Sequence, residues 1–156
     1  MYFANIWINA YGFGWGQKGK KNFMKKEMVI CILIIILIVV TNIVTQRYTK
    51  ECTAGISERL DVLKEKVLEE KDNQEIDGEV ILGEISNIEN KWNEYQEKLA
   101  YYIEHDELEK VETQIWAMKG FSEIGKYDEV VPELDKCVFI LEHIQDKTKL
   151  NVKNIF

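Results

Sequence analysis

The sequence predicts an all-α protein: one N-terminal transmembrane helix followed by a small antiparallel helical bundle. Three observations lead there. Residues 28–44 read MVICILIIILIVVTNIV, with no charge and no proline. Beyond them, apolar residues recur at alternating intervals of four and three, the period of one helix face. Nowhere do alternating apolar and polar residues run between turn pairs in the manner of a strand.

The apolar run sets the address of the chain. About 20 apolar residues span a hydrocarbon core of about 30 Å as a helix. The run counts 17 residues, and Thr45 and Gln46 extend it toward the headgroups. Met28, Ile32, Ile36, Val40 and Val44 mark successive turns of this anchor. Lys18, Lys20, Lys21, Lys25 and Lys26 precede it against the single acid Glu27, whereas 15 Lys or Arg face 26 Asp or Glu after it. Basic flanks stay on the cytoplasmic side. The expected topology is therefore a single pass through the cell membrane, with the N-terminus cytoplasmic and the C-terminal domain extracytoplasmic. A cleaved signal peptide is the competing reading, but its apolar core is shorter and a small-x-small site follows it. Thr41 to Thr45 hold no such site, and no Leu-x-x-Cys lipobox precedes Cys52.

Residues 1–23 do not conform to the rest. They are rich in aromatics, Gly and Asn, without helical periodicity, whereas Met24-Lys25-Lys26 resembles an ordinary start before a span. The expectation is a start at Met24, with an aromatic interfacial anchor as the alternative reading of the first segment. The organisation is then 1–23, a basic flank and anchor over 24–46, and an extracytoplasmic helical domain over 47–156, long enough for one compact unit.

Four helices follow from the periodicity. Ile56, Leu60, Leu63 and Val67, extended backwards by Cys52, form a stripe that continues the membrane helix, with Gly55 as a soft point. The pattern fades at Glu69 to Gln74, and Asp77 is a fitting N-cap for the next helix. That helix carries Ile81, Ile85, Ile88, Trp92, Tyr95, Leu99 and Tyr102, ending near 103–105. A third helix is expected from Asp106, with Glu109 three residues on in a near capping box. Leu108, Val111, Ile115 and Met118 form its stripe, Trp116, Phe121 and Ile124 widen it, and Gly125 closes it. Asp128 opens the fourth, with Pro132 near its first turn. Val131, Leu134, Val138, Leu141 and Ile144 carry its stripe, broadened by Phe139 and Ile140. The short connections make neighbouring helices antiparallel.

Few residues invite a chemical role. His105-Asp106-Glu107 combines a base with two acids, a set that can hold a divalent metal or supply a general base. The competing reading is acids complementing a helix N-terminus. Trp92 and Trp116 lie on or beside apolar stripes, where core packing competes with a ligand platform. Two histidines without paired spacing make no zinc motif, and no metal or other cofactor is expected. Cys52 and Cys137 share an oxidising compartment on this topology, yet isolated cysteines commonly act as small apolar fillers. No phosphate loop, Gly-x-Ser-x-Gly, Cys-x-x-Cys or His-Glu-x-x-His appears. No enzyme, no catalytic residue and no small-molecule substrate is expected. The acidic domain lacks the basic stripe that nucleic acid requires.

The span, Trp92, the segment Ile103-Glu104-His105-Asp106-Glu107 and the terminal Asn154-Ile155-Phe156 resemble a family catalogued as domain of unknown function 4363. The resemblance covers Met24 to Phe156. It implies a bacterial, chiefly Gram-positive and often spore-forming source, a basic start, one span and roughly a hundred helical residues; it implies no activity. Gly125 to Leu134 is also similar to the turn and first helix of a tetratricopeptide-type repeat, over one repeat's length only. The expected function is an extracytoplasmic interaction or structural module on a membrane anchor, bound to a protein partner or to copies of itself through helix one. The alternative is a ligand or metal sensor around His105, and an enzyme acting on cell-wall material ranks third.

Overall fold

The computed structural model describes residues 17–73 and 76–149, the side chains of 17–24 and of 72 excepted. The aromatic residues 1–16 and the terminal Asn-Ile-Phe lie outside the described residues. Four helices follow in order: α1 (Gln17–Asp72), α2 (Gly78–Leu99), α3 (His105–Glu123) and α4 (Tyr127–Thr148). No strand occurs among the described residues. Helix α1 begins ahead of Met24.

The chain divides into two compact units, Met1–Ile43 and Val44–Phe156, and α1 runs through the junction. In the first unit the large apolar side chains from Met28 to Val40 all stand exposed. This part of α1 is long and apolar enough to cross a membrane.

In the second unit each helix buries one stripe. Cys52, Ile56, Leu60, Leu63 and Val67 of α1 meet Ile81, Ile85, Ile88, Trp92 and Leu99 of α2 in one core. The same core takes Leu108, Val111, Ile115 and Met118 of α3 and Val130, Leu134, Cys137, Leu141 and Ile144 of α4. The helix-one stripe is thus buried within the chain. Gly55 does not interrupt α1. Thr49 and Thr53, both buried, satisfy their hydroxyls on the Thr45 and Thr49 carbonyls at 2.9 and 3.0 Å, the back-bonding that lets a hydroxyl sit inside a helix.

Cross-helix pairs establish the direction of each neighbour. Lys64 of α1 meets Asp135 of α4, and one heptad later Lys71 meets Asp128, one heptad earlier. On α2 and α3, Glu89 pairs with Lys119 at 2.7 Å, while Gln96 meets Glu112 at 3.5 Å. Both pairs of helices are therefore antiparallel, with up-down-up-down connectivity. The starts of α2 and α4 share one end: a Cβ added to Gly78 would collide with the Tyr127 hydroxyl.

Helix ends depart from expectation where backbone groups choose otherwise. Asp77 does cap α2, its carboxylate accepting from the Val80 amide at 3.2 Å. Helix α2 stops at Leu99, whose carbonyl accepts from the Tyr102 and Ile103 amides; Tyr102 lies beyond the helix. Helix α3 starts at His105, one residue before the expected Asp106. Glu104 is its N-cap residue, without a side-chain cap, and its carbonyl accepts from the Glu107 and Leu108 amides. Glu109 binds His105 at 3.0 Å instead of reaching back to form a capping box. At the far end Gly125 adopts φ +69, with Gly125 N–H on Ser122 O and Lys126 N–H on Phe121 O. These two bonds form a Schellman cap, which favours Gly at the left-handed position.

Helix α4 differs in its stripe and in its first turns. Val130 and Cys137 are buried where Val131 and Val138 were expected, and Phe139 is exposed. An unbroken four-three alternation through Leu134, Leu141 and Ile144 requires positions 130 and 137, and Cys137 serves there as a small apolar side chain. The helix opens at Tyr127, so Pro132 lies in its second turn rather than its first. There the missing N–H withholds one hydrogen bond from the Asp128 carbonyl, at the surface of the bundle.

The seam predicts its own sensitivity. Ile85→Ala is expected to cost about 2–5 kcal/mol of unfolding free energy, as for a buried large-to-small change. Val62→Ala, on the exposed face of α1, is expected to stay within about 0.5 kcal/mol of the parent. Denaturant titration of the full chain in detergent measures both.

Candidate functional site

Helix geometry separates the residues that the sequence places together. Glu107 points inward: its carboxylate is only 6% exposed, receiving Lys147 of α4 at 2.6 Å and Lys110 at 3.1 Å on Oε1. Lys147 also approaches Glu104 at 3.7 Å. Glu107 Oε2 is buried without a hydrogen-bond partner among the described residues. His105 points outward, engaged with Glu109, and Asp106 is exposed beside it. Among the described residues no three His, Cys, Asp or Glu side chains come together in a metal-binding arrangement. Glu107 acts as an electrostatic clamp between α3 and α4. The Lys147 ammonium holds its carboxyl below the usual range against the opposing cost of burial, and Lys110 helps.

The two tryptophans take different positions. Trp92 is fully buried in the core, and its indole N–H finds no partner among the described residues. Trp116 stands 60% exposed on the outer surface of α3. Its place one residue after buried Ile115 turns it away from the seam by the helix period. Phe139 of α4 is likewise outward, 69% exposed.

The cysteines are free, Cys31 exposed and the other two buried. The pairing of Lys64 with Asp135 sets Cys137 near the middle of this half of α1, well over two helical turns from Cys52. Burial alone pushes the Cys137 thiol up to about 12, so its reactive thiolate is scarce at neutral pH.

Sequence reasoning missed an open groove of about 530 Å³ between α1 and α4. Ala54 and Val62 contribute its apolar surface, and Glu58, Asp61, Glu65 and Glu142 line it without a basic residue. The signal was present: Glu58, Asp61 and Glu65 follow helical spacing on one face of α1. Nothing in the groove converges on a small ligand.

The family model described as domain of unknown function (DUF4363) matches residues 43–155, nearly the whole of the second compact unit. The chain belongs to the DUF4363 family. No curated protein and no solved structure matches it. Within this DUF4363 unit, Trp92 is a core residue and the segment from Ile103 to Glu107 forms the α2–α3 turn and the opening of α3.

Two predictions follow from this geometry. Glu107 has a lowered carboxyl pKa, so its contribution to stability is full above the unfolded glutamate pKa of about 4.3 and fades as pH falls through the folded value. Lys147→Met is expected to flatten the acid limb of the stability–pH curve, measured by thermal melts between neutral and acid pH. Because His105, Asp106 and Glu107 diverge, a panel of divalent cations is expected to leave the melting temperature of the full chain unchanged. His105→Ala is expected to leave that result as it is.

Proposed function

We propose that this DUF4363 protein is a single-span membrane protein whose extracytoplasmic helical unit acts by binding another protein. The anchor reading rests on the exposed apolar face of α1 between Met28 and Val40, which exceeds by far the apolar patches that soluble monomers leave in water. Its orientation rests on the five lysines before the run and the acidic excess after it.

The observation that carries the binding reading is Trp116. A tryptophan is the side chain most enriched among residues that dominate protein–protein affinity, because it supplies large apolar area with few rotatable bonds. Here α3 fills its share of the core with Leu108, Val111, Ile115 and Met118 and leaves Trp116 outside. Glu112 and Lys119, the next residues along the same face, are engaged with Gln96 and Glu89 of α2. The indole thus projects from a surface held rigid on both sides, which lowers the entropic cost of docking.

The test separates binding from stability. Trp116→Ala is expected to shift unfolding free energy by no more than about 0.5 kcal/mol, as at other surface positions. It is also expected to remove most of the partner recovered by crosslinking in intact membranes. Recovery of the same partner at parental yield would overturn the reading, as would a parental chain that crosslinks to no other protein.

A further inference from the structure

Trp116 stands among acidic side chains, and the packing of α2 against α3 decides which of them keep an uncompensated charge. Residues four apart share one helix face, so Glu112 lies one turn before Trp116 and Gly120 one turn after it. Gly120 carries no side chain, and a Cβ added there would meet nothing. The surface beside Trp116 is therefore open on that side. Glu109 and Glu123, seven residues away in either direction, are exposed on the same face.

The charges of this face are settled unequally. Lys119 is its cation, and the ammonium donates to Glu89 of α2 at 2.7 Å. That carboxylate holds the Lys119 ammonium above its usual range, so the cation is committed to α2. Glu112 has a different partner: the Gln96 amide donates to its Oε2 at 3.5 Å. A neutral amide orients a carboxylate without cancelling its charge, and no cation pairs with Glu112 among the described residues.

The negative face of an indole attracts a cation, and an uncompensated carboxylate one turn away adds to the attraction. Of the two permanently cationic side chains, arginine suits this pair better. Its planar guanidinium stacks on an aromatic face and keeps N–H groups in its own plane for a carboxylate. A lysine ammonium is a strongly hydrated point charge and does one or the other.

We infer that Trp116 and Glu112 together receive an arginine side chain of the partner protein, the guanidinium stacking on the indole and donating to the Glu112 carboxylate. This rests on the reading of Trp116 as the docking residue and adds the chemistry of what docks there. The partner presents a basic segment with arginine at the centre of the contact. Acidic segments are repelled by Glu109, Glu112 and Glu123.

The test uses the full chain in uncharged detergent and two fluorescein-labelled peptides of glycine and serine. One carries arginines; the other carries citrullines in their place, which keep the shape and lose the charge. Fluorescence anisotropy reads the affinity. The arginine peptide is expected to bind at least about tenfold more tightly than the citrulline peptide. Glu112→Gln keeps an oxygen for Gln96 and removes only the charge. It and Trp116→Ala are each expected to weaken the arginine peptide by about fivefold or more. Asp61→Asn, in the acidic groove between α1 and α4, controls for diffuse attraction and is expected to leave the affinity unchanged. Equal binding of the two peptides overturns the proposal, as does a loss with Asp61→Asn as large as that with Glu112→Gln. Crosslinking in intact membranes separates the arginine assignment from docking itself. If Trp116→Ala loses the cellular partner while Glu112→Gln keeps it at parental yield, docking stands and the arginine assignment falls. If Trp116→Ala keeps the partner, both readings fall.

Discussion

One buried seam organises this protein: four apolar stripes, each advancing by four and three residues, meet in a single core of antiparallel helices. The stripe of α1 is the decisive one. Ile56, Leu60, Leu63 and Val67 lie on the same helix that carries the apolar run, and they are covered only when α2 and α4 fold against them. A helix cannot leave four consecutive turns of Ile, Leu and Val in water without a cost that grows by roughly 25 cal/mol for each Å² of apolar surface. That requirement draws the remaining helices around α1. Short connections then leave antiparallel packing as the available arrangement.

Electrostatics trims this arrangement without driving it. The cross-helix pairs Lys64–Asp135 and Lys71–Asp128 are largely exposed and Glu89–Lys119 is half-buried at the surface, and such pairs contribute little individually. Their value is in register, because a one-residue slip would misalign pairs spaced by a heptad. Glu107 is different in kind. It is the one charged side chain among the buried residues described, and Lys147 compensates it from the neighbouring helix. The surface beyond these pairs carries excess acid, a feature of solvation rather than of the core.

Much of the fold was legible in the sequence, because helix periodicity is a repeated signal. The stripes of α1, α2 and α3 were readable almost residue by residue, as was Asp77 as a cap. Two kinds of feature were not. Cys137 occupies a core position of α4 that hydrophobic pattern reading passes over, so Val131 and Val138 seemed to carry the stripe instead of Val130 and Cys137. The N-cap residues of α3 and α4, Glu104 and Lys126, make no side-chain cap, so no capping residue marks those starts in the sequence. For the candidate site, adjacency in sequence misled: residues 105, 106 and 107 point in three directions around a helix, at about 100° per residue. Trp116 and Trp92 looked alike on paper, and only the packing assigned one to the core and the other to the surface.

The central claim is that the part of α1 beyond Val44 is a full member of the bundle rather than a stalk beneath it. Native-state hydrogen exchange of the full chain in detergent tests this most directly. The account predicts that amides of Ile56, Leu60 and Leu63 open with the same free energy as those of Ile85, Ile115 and Leu141, because one cooperative unit protects them all. Exchange at Ile56, Leu60 and Leu63 orders of magnitude faster, at the level of a marginal isolated helix, would contradict it.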